Sequence, residues 1–247
     1  MLKTLVCTAV AFAAMGFAAS ASHAAPVVYF GENLNPGGAV SGNPLSARTA
    51  FLSNLSGVVS QGFESFNAGA VAPLSLSFTG SGATSLQATL TGAGAIVSNP
   101  RVSSAGRFNT TADGTKWWDV SGTFNIGFAA GNEISAFGFY GTDIGDFVGQ
   151  VTVTLTDINN VSTTLSVANT VNGPNASLLF WGFVDAGNRY KNISFGNTSS
   201  GTDFFGFDDM VIGDQGQIVN PTPEPASLAL VGLALLGLAA TRRNKRV

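Results

Sequence analysis

The chain has 247 residues, only 10% of them charged, with a formal net charge of −3, one histidine and one cysteine. Cys7 and His23 both fall in the first 24 residues, so the body from 25 to 220 has neither; this excludes Ser-His-Asp and Cys-His catalysis, the usual zinc sites, histidine-ligated haem and disulfide bonds there. The body also sets six Lys and Arg against thirteen Asp and Glu, which excludes a phosphate-binding basic surface, and so a nucleic-acid partner, and is compatible with divalent cations.

The first 24 residues read as a secretory signal peptide. Lys3 supplies the positive start, Leu5 to Ala19 the apolar region and Ser22-His23-Ala24 the small-residue cut site, so signal peptidase is expected to leave a chain beginning at Ala25. Residues 26–45 are rich in Gly, Pro and Asn and read as irregular. The stretch 46–59, SARTAFLSNLSGVV, puts Phe51, Leu55, Val58 and Val59 at helical spacing behind a Ser46 N-cap, which predicts one short amphipathic helix.

From Leu74 the period changes to two. LSLSF, SLQATLT, DVSGTFNIGF, QVTVTLTD and VSTTLSV alternate apolar with small or hydroxyl residues, the pattern of half-buried antiparallel strands. ISAFGFY and SLLFWGFV are apolar on both faces and read as central strands. Gly- and Asn-rich breaks such as TADG, DINN and NTSSG separate them. The expectation is an all-β antiparallel β-sandwich of jelly-roll type over residues 25–214, with one short N-terminal helix.

Residues 215–225, QGQIVNPTPEP, then read as a linker, and 226–247 as an apolar helix with a basic end. As a helix, Ala226 to Ala240 rises about 22 Å against about 30 Å of hydrocarbon, a marginal transmembrane span. Arg242, Arg243, Lys245 and Arg246 would hold its end on the cytoplasmic side. Pro223-Glu224-Pro225, an apolar helix and a basic cluster, in that order, resemble the PEP-CTERM protein-sorting signal, a segment also labelled ice-binding protein C-terminal domain. The resemblance implies a Gram-negative producer of exopolysaccharide. It also implies an exosortase that cleaves near the motif, with a brief inner-membrane tether followed by release to the cell surface or outside.

Three constellations in the body invite a function. Gly62-Phe63-Glu64-Ser65-Phe66 and the late FFGFDDMVIG bracket the body in a way that resembles galactose-binding-like jelly rolls, including carbohydrate-binding modules. In some of these an early Glu and a closing-strand Asp share a structural Ca²⁺, which implies Glu64 with Asp208 or Asp209 as ligands. Strand alternation lets only one of the two adjacent Asp face inward. Asp143 and Asp146, on a Gly-containing turn with Asp185 and Asp203 elsewhere, suit a cation or sugar hydroxyls, or turn formation alone. Trp117 and Trp118 are adjacent on a strand and so expected on opposite faces, one in the core and one exposed as a sugar-stacking platform or packed over a loop.

The combined reading is an exported structural or exopolysaccharide-binding module without catalysis. Two alternatives stand beside it. One is a carbohydrate-active enzyme using a carboxylate pair drawn from Glu64, Glu133 and the Asp residues. The other is an ice-binding or surface-coating protein with a flat face of regular Thr.

Overall fold

A computed structural model describes residues 25–100, 102–121, 123–199 and 203–219; the expected signal peptide and sorting helix lie outside them. In chain order the elements are β1 (Val27–Asn33), α1 (Asn43–Leu52), β2 (Ser60–Gln61), β3 (Leu74–Thr79), β4 (Ser85–Gly92), β5 (Ala95–Ser98), β6 (Lys116–Ser121) and β7 (Phe124–Phe128). Then come β8 (Ala136–Thr142), β9 (Val151–Asp157), β10 (Ser162–Ser166), β11 (Leu178–Val184), β12 (Tyr190–Asn197) and β13 (Phe204–Gly213).

The strands form two antiparallel sheets, as expected of the sandwich. A seven-stranded sheet runs β1-β11-β8-β13-β6-β5, with β2 also on β13; a six-stranded sheet runs β10-β9-β12-β7-β4-β3. In the six-stranded sheet the alternation works as read: Val151, Val153 and Leu155 of β9 and Leu86, Ala88 and Leu90 of β4 face the core, with polar residues between them facing out. The run 119–128, which reads as one strand, is divided between β6 and β7, which belong to different sheets. Four further strands escape the periodicity: β1, an edge strand whose Val27 and Val28 stay exposed, the short β2, β5, and β12.

In the seven-stranded sheet every residue of β8 and of β11 is buried. One face of that sheet meets the other sheet; the opposite face is covered by α1 and by the segment 102–115. The helix begins at Asn43 with Pro44 in its first turn, where a missing N–H costs no helical bond, and it ends at Leu52. It therefore sits earlier than the 46–59 reading, and Leu55, Val58 and Val59 lie beyond it. Ser46 lies inside the helix, its hydroxyl donating to Gly42 O at 3.2 Å.

Phe51 anchors the helix. Its ring lies over the paired glycines Gly138 and Gly182, where a Cβ would stand 3.2 Å from it on either strand. It also packs against Tyr29 and Phe180. The segment expected to be linker from 215 begins as part of the body: Gln217 is buried, its amide reaching Gly57 O and Thr79 O, and Val219 N–H donates to Asn54 O.

Because two glycines form the floor under Phe51, the floor itself has no side chain to fill the space that it leaves. Phe51→Ala is expected to cost about 3–5 kcal/mol. Urea unfolding checks this through a lower midpoint at unchanged slope.

Candidate functional site

The segment 102–115 joins β5 to β6 and crosses the outer face of the seven-stranded sheet without entering a ladder. Its polar backbone groups must therefore find partners elsewhere. Some pair within the segment, as Ser103 N–H with Arg107 O and Gly114 N–H with Thr111 O, and at three successive points the segment meets carboxylates, first through the Arg107 side chain and then through backbone N–H groups.

At the first point, Arg107 is the residue that reaches out. Its Nε is 2.5 Å from Asp119 Oδ1, and its Nη1 is 3.5 Å from Asp143 Oδ2. Asp143, 2% exposed, also accepts the Ala176 N–H at 2.9 Å. Burial raises the pKa of both Asp119 and Asp143, against the pull of Arg107. Asp146 lies in the same cluster, with Asp203. Its pKa is pushed up to about 7, by burial first and then by the Asp203 and Asp143 carboxylates. The structure thus brings Asp143, Asp146 and Asp203 together. It leaves Asp185 apart, capping the 185–190 turn through Gly187 N–H and Tyr190 O–H.

At the second point Asp208 and Asp209 hold Thr110 and Thr111. Asp208 is fully buried; its Oδ2 accepts Thr110 N–H at 2.6 Å and Thr111 N–H at 3.2 Å. Both carboxylates face the same two threonines, contrary to the alternation expected of a strand. The cause is a bulge. The register with β8 shifts between Asp208 and Val211, and Asp209 has φ +47°, a left-handed conformation that Asp tolerates.

The Thr110 hydroxyl stands 3.0 Å from Asp208 and 3.1 Å from Asp209; the Thr111 hydroxyl stands 3.4 and 3.1 Å from the same pair. Each hydroxyl has one proton to give. With both carboxylates charged, two of these four contacts lack a proton, and one proton held by the pair fills one of them. Burial, and then the Asp209 charge, push the Asp208 pKa up to about 8, against the opposing pull of the backbone N–H groups.

At the third point Glu64 Oε1 accepts Thr115 N–H at 2.8 Å and Lys116 N–H at 2.7 Å, and Lys116 Nζ donates to Glu64 O. Glu64 and the Asp208–Asp209 pair thus hold different stretches of one segment. Among the described residues no group of three or more His, Cys, Asp or Glu is placed to hold a metal ion. The carboxylates that the resemblance implies as Ca²⁺ ligands, Glu64 with Asp208 or Asp209, accept hydrogen bonds from the segment here, Glu64 from Thr115 and Lys116 and the Asp pair from Thr110 and Thr111.

Both tryptophans are buried, and neither is the exposed platform that the sequence suggested. Trp118 lies in the core edge-on to Phe124. Trp117 does point to the opposite face, but that face is covered: its ring and Arg107 close over Gly206, and its Nε1–H donates to Asp119 Oδ1 at 3.2 Å. Arg107, which in the sequence reads with Asn and Asp as a polar neighbour of the tryptophans in a sugar platform, instead places its guanidinium between Asp119 and Asp143. Beside the segment runs a groove of about 350 Å³, walled by Val40, Phe108, Asn109, Thr111 and Asp113 among others.

Beyond the described body, the sequence itself decides one question. Residues 221–244 match the PEP-CTERM protein-sorting motif. The match includes Pro223, Glu224, Pro225, Arg242 and Arg243, and Lys245 and Arg246 follow it directly. A PEP-CTERM motif implies exosortase processing, export and sorting to the cell surface. Among the described residues no helix is long and apolar enough to cross a membrane, and the expected tethering helix lies outside them.

No curated protein matches the sequence. Among solved structures, the K2 cleaved adhesin domain of Lys-gingipain is similar at 12% identity and TM-score 0.40, over 64% of this chain and 98% of that one. A xylan-binding domain of carbohydrate-binding module family 22 is similar at 11% identity and TM-score 0.33, over 53% of this chain and 89% of that one.

The raised acids fix the sign of a pH effect. An Asp with a raised folded pKa holds its proton more tightly folded than unfolded. Its stabilising contribution is full below the unfolded pKa of about 3.9 and is lost as pH rises through the folded value. With Asp146 at about 7 and Asp208 at about 8, the melting temperature is expected to fall between about pH 4 and pH 8. Asp208→Asn is expected to flatten the upper part of that fall, read from melting curves across the range; an unchanged slope would count against the shared proton.

Proposed function

We propose that the chain is an exported, non-catalytic matrix protein whose body binds polysaccharide outside the cell. The observation that carries this reading is the sorting motif at 221–244, which follows the last described residue of the body, Val219, almost at once. A body delivered by such a signal meets the polymers of the surface. Its own chemistry is consistent with holding them. Glu64, Asp119, Asp143, Asp208 and Asp209 are spent on fastening the 102–115 segment, which sets them apart from a carboxylate pair facing substrate across a cleft.

The ice-binding alternative asks for a flat, regular threonine face. β9 does present Thr152, Thr154 and Thr156, but its neighbour β12 presents Asn192, Ser194 and Gly196 in the same register, so the regularity ends after one strand. A mixed hydroxyl and carboxamide surface suits sugar hydroxyls better than a lattice of identical sites.

The test is calorimetric titration of the protein with the producer's exopolysaccharide, in Ca²⁺ and again in EDTA, with reducing ends assayed alongside. Saturable binding in both buffers without new reducing ends is expected. Binding lost in EDTA would restore a metal to the site, accumulating reducing ends would establish an enzyme, and no binding in either buffer would end the polysaccharide reading. Separately, Ala at Pro223 and Pro225 is expected to leave the chain at full length and cell-associated on immunoblots; unaltered processing would remove the exosortase step.

A further inference from the structure

The six-stranded sheet has one face in the core and one turned outward. On its six strands the only charged residues are Asp157 and Lys191. Both sit at one end, beside the β9–β10 turn: Asp157 accepts the N–H groups of Asn159 and Val161, and Lys191 Nζ donates to Asn160. The outward positions between are hydroxyl, carboxamide or glycine throughout. Thr164, Thr154, Ser194, Asn125 and Thr91 stand in register across five strands. A second such row, two residues along each strand, runs from Ser162 through Asn192 to Ser75.

Neighbours within this array orient one another. Thr154 and Thr164 are 2.9 Å apart, Thr156 and Ser162 3.0 Å, and Asn192 Nδ2 donates to Ser194 Oγ at 2.9 Å. A hydroxyl engaged once still has lone pairs to offer, so the array is held in place and remains able to bind. With strands about 4.8 Å apart, six strands make a face about 24 Å wide, and successive rows lie about 6.7 Å apart.

Several partners are disfavoured by this chemistry. A polyanion or polycation finds no counter-charge on the face, and the body's excess of acids repels polyanions. A protein partner needs an apolar, aromatic interface core, and these rows contain none. What matches a neutral array of paired donors and acceptors is a neutral array of hydroxyl groups. Resting on the polysaccharide-binding reading above, we infer that the outward face of the six-stranded sheet is the docking surface for an extended, uncharged polysaccharide, laid across the strands along these rows.

The test uses the full chain with two probes, hydroxyethylcellulose as a neutral extended polymer and alginate as a polyanion. Binding to the first and not the second is expected. Replacing Thr154, Ser194 and Asn125 together by Ala should weaken that binding at least tenfold, while Thr154→Ser should leave it unchanged. Thr164→Lys, on the exposed edge strand, alters the face without touching the core and serves if the triple variant misfolds; it too should weaken binding. Undiminished binding by correctly folded face variants, with loss instead on Asp113→Gly in the groove, overturns this surface and leaves polysaccharide binding standing. Preference for alginate overturns the neutral ligand. Failure of the unaltered chain to bind either probe or the producer's own polymer overturns the functional reading and this inference with it.

Discussion

The structure depends on how a segment without secondary structure is fastened to a sheet that is apolar on both faces. β8, β11 and β13 need cover on the side away from the sandwich core. Helix α1 supplies part of it, through Phe51 set on two glycines. The 102–115 segment supplies another part, placing Phe108 in one cluster with Tyr140 and Val211, and Leu55 and Val58 lie over Gly213. A helix satisfies its own backbone; an irregular segment does not, and carboxylates answer for it at Thr110–Thr111 and Thr115–Lys116, while the Arg107 side chain adds a third tie to Asp119 and Asp143. Many of the body's acids are explained by this task before any ligand is invoked. The bulge in β13 has the same origin, because it turns Asp208 and Asp209 to one side and lets two side chains hold two threonines.

Much of the sandwich was legible in the sequence because a strand with one wet face writes its alternation plainly. β3, β4, β9 and β10 stand where LSLSF, SLQATLT, QVTVTLTD and VSTTLSV place them, and the doubly apolar runs became central strands. Three kinds of feature were not legible. The alternation over 119–128 carries no mark of a change of sheet between β6 and β7. A proline in the first turn moved the helix forward, which spacing of apolar residues alone does not register. The site depended on tertiary context: the bulge placed both Asp208 and Asp209 inward, and the cover over the outer face buried Trp117. Acidic and aromatic residues that looked like binding groups were therefore largely fastenings and packing, and of the neutral outer face only the threonines of β9 and β10 stood out in the sequence, because each of its other residues is individually ordinary.

The two sheets divide the chemistry of the body between them. Around the seven-stranded sheet lie the buried acids, the Arg107 fastening and the raised proton affinities. The six-stranded sheet leaves its outer face open and almost free of charge. Fastening and display are thus placed on opposite sides, so a change of pH that loosens the first leaves the composition of the second untouched.

The position of β13 has a consequence for the order in which the molecule can assemble. It is the last strand of the body, yet it lies inside its sheet, joining β8 on one side to β6 and β2 on the other. Until residues 204–213 have emerged, β1, β11 and β8 have no ladder to β6 and β5, and the two halves of that sheet remain separate. A chain delivered from its N-terminus therefore keeps its largest sheet in two pieces until almost the moment the sorting motif follows. Folding and the arrival of the address are in this way timed to the same short stretch of chain.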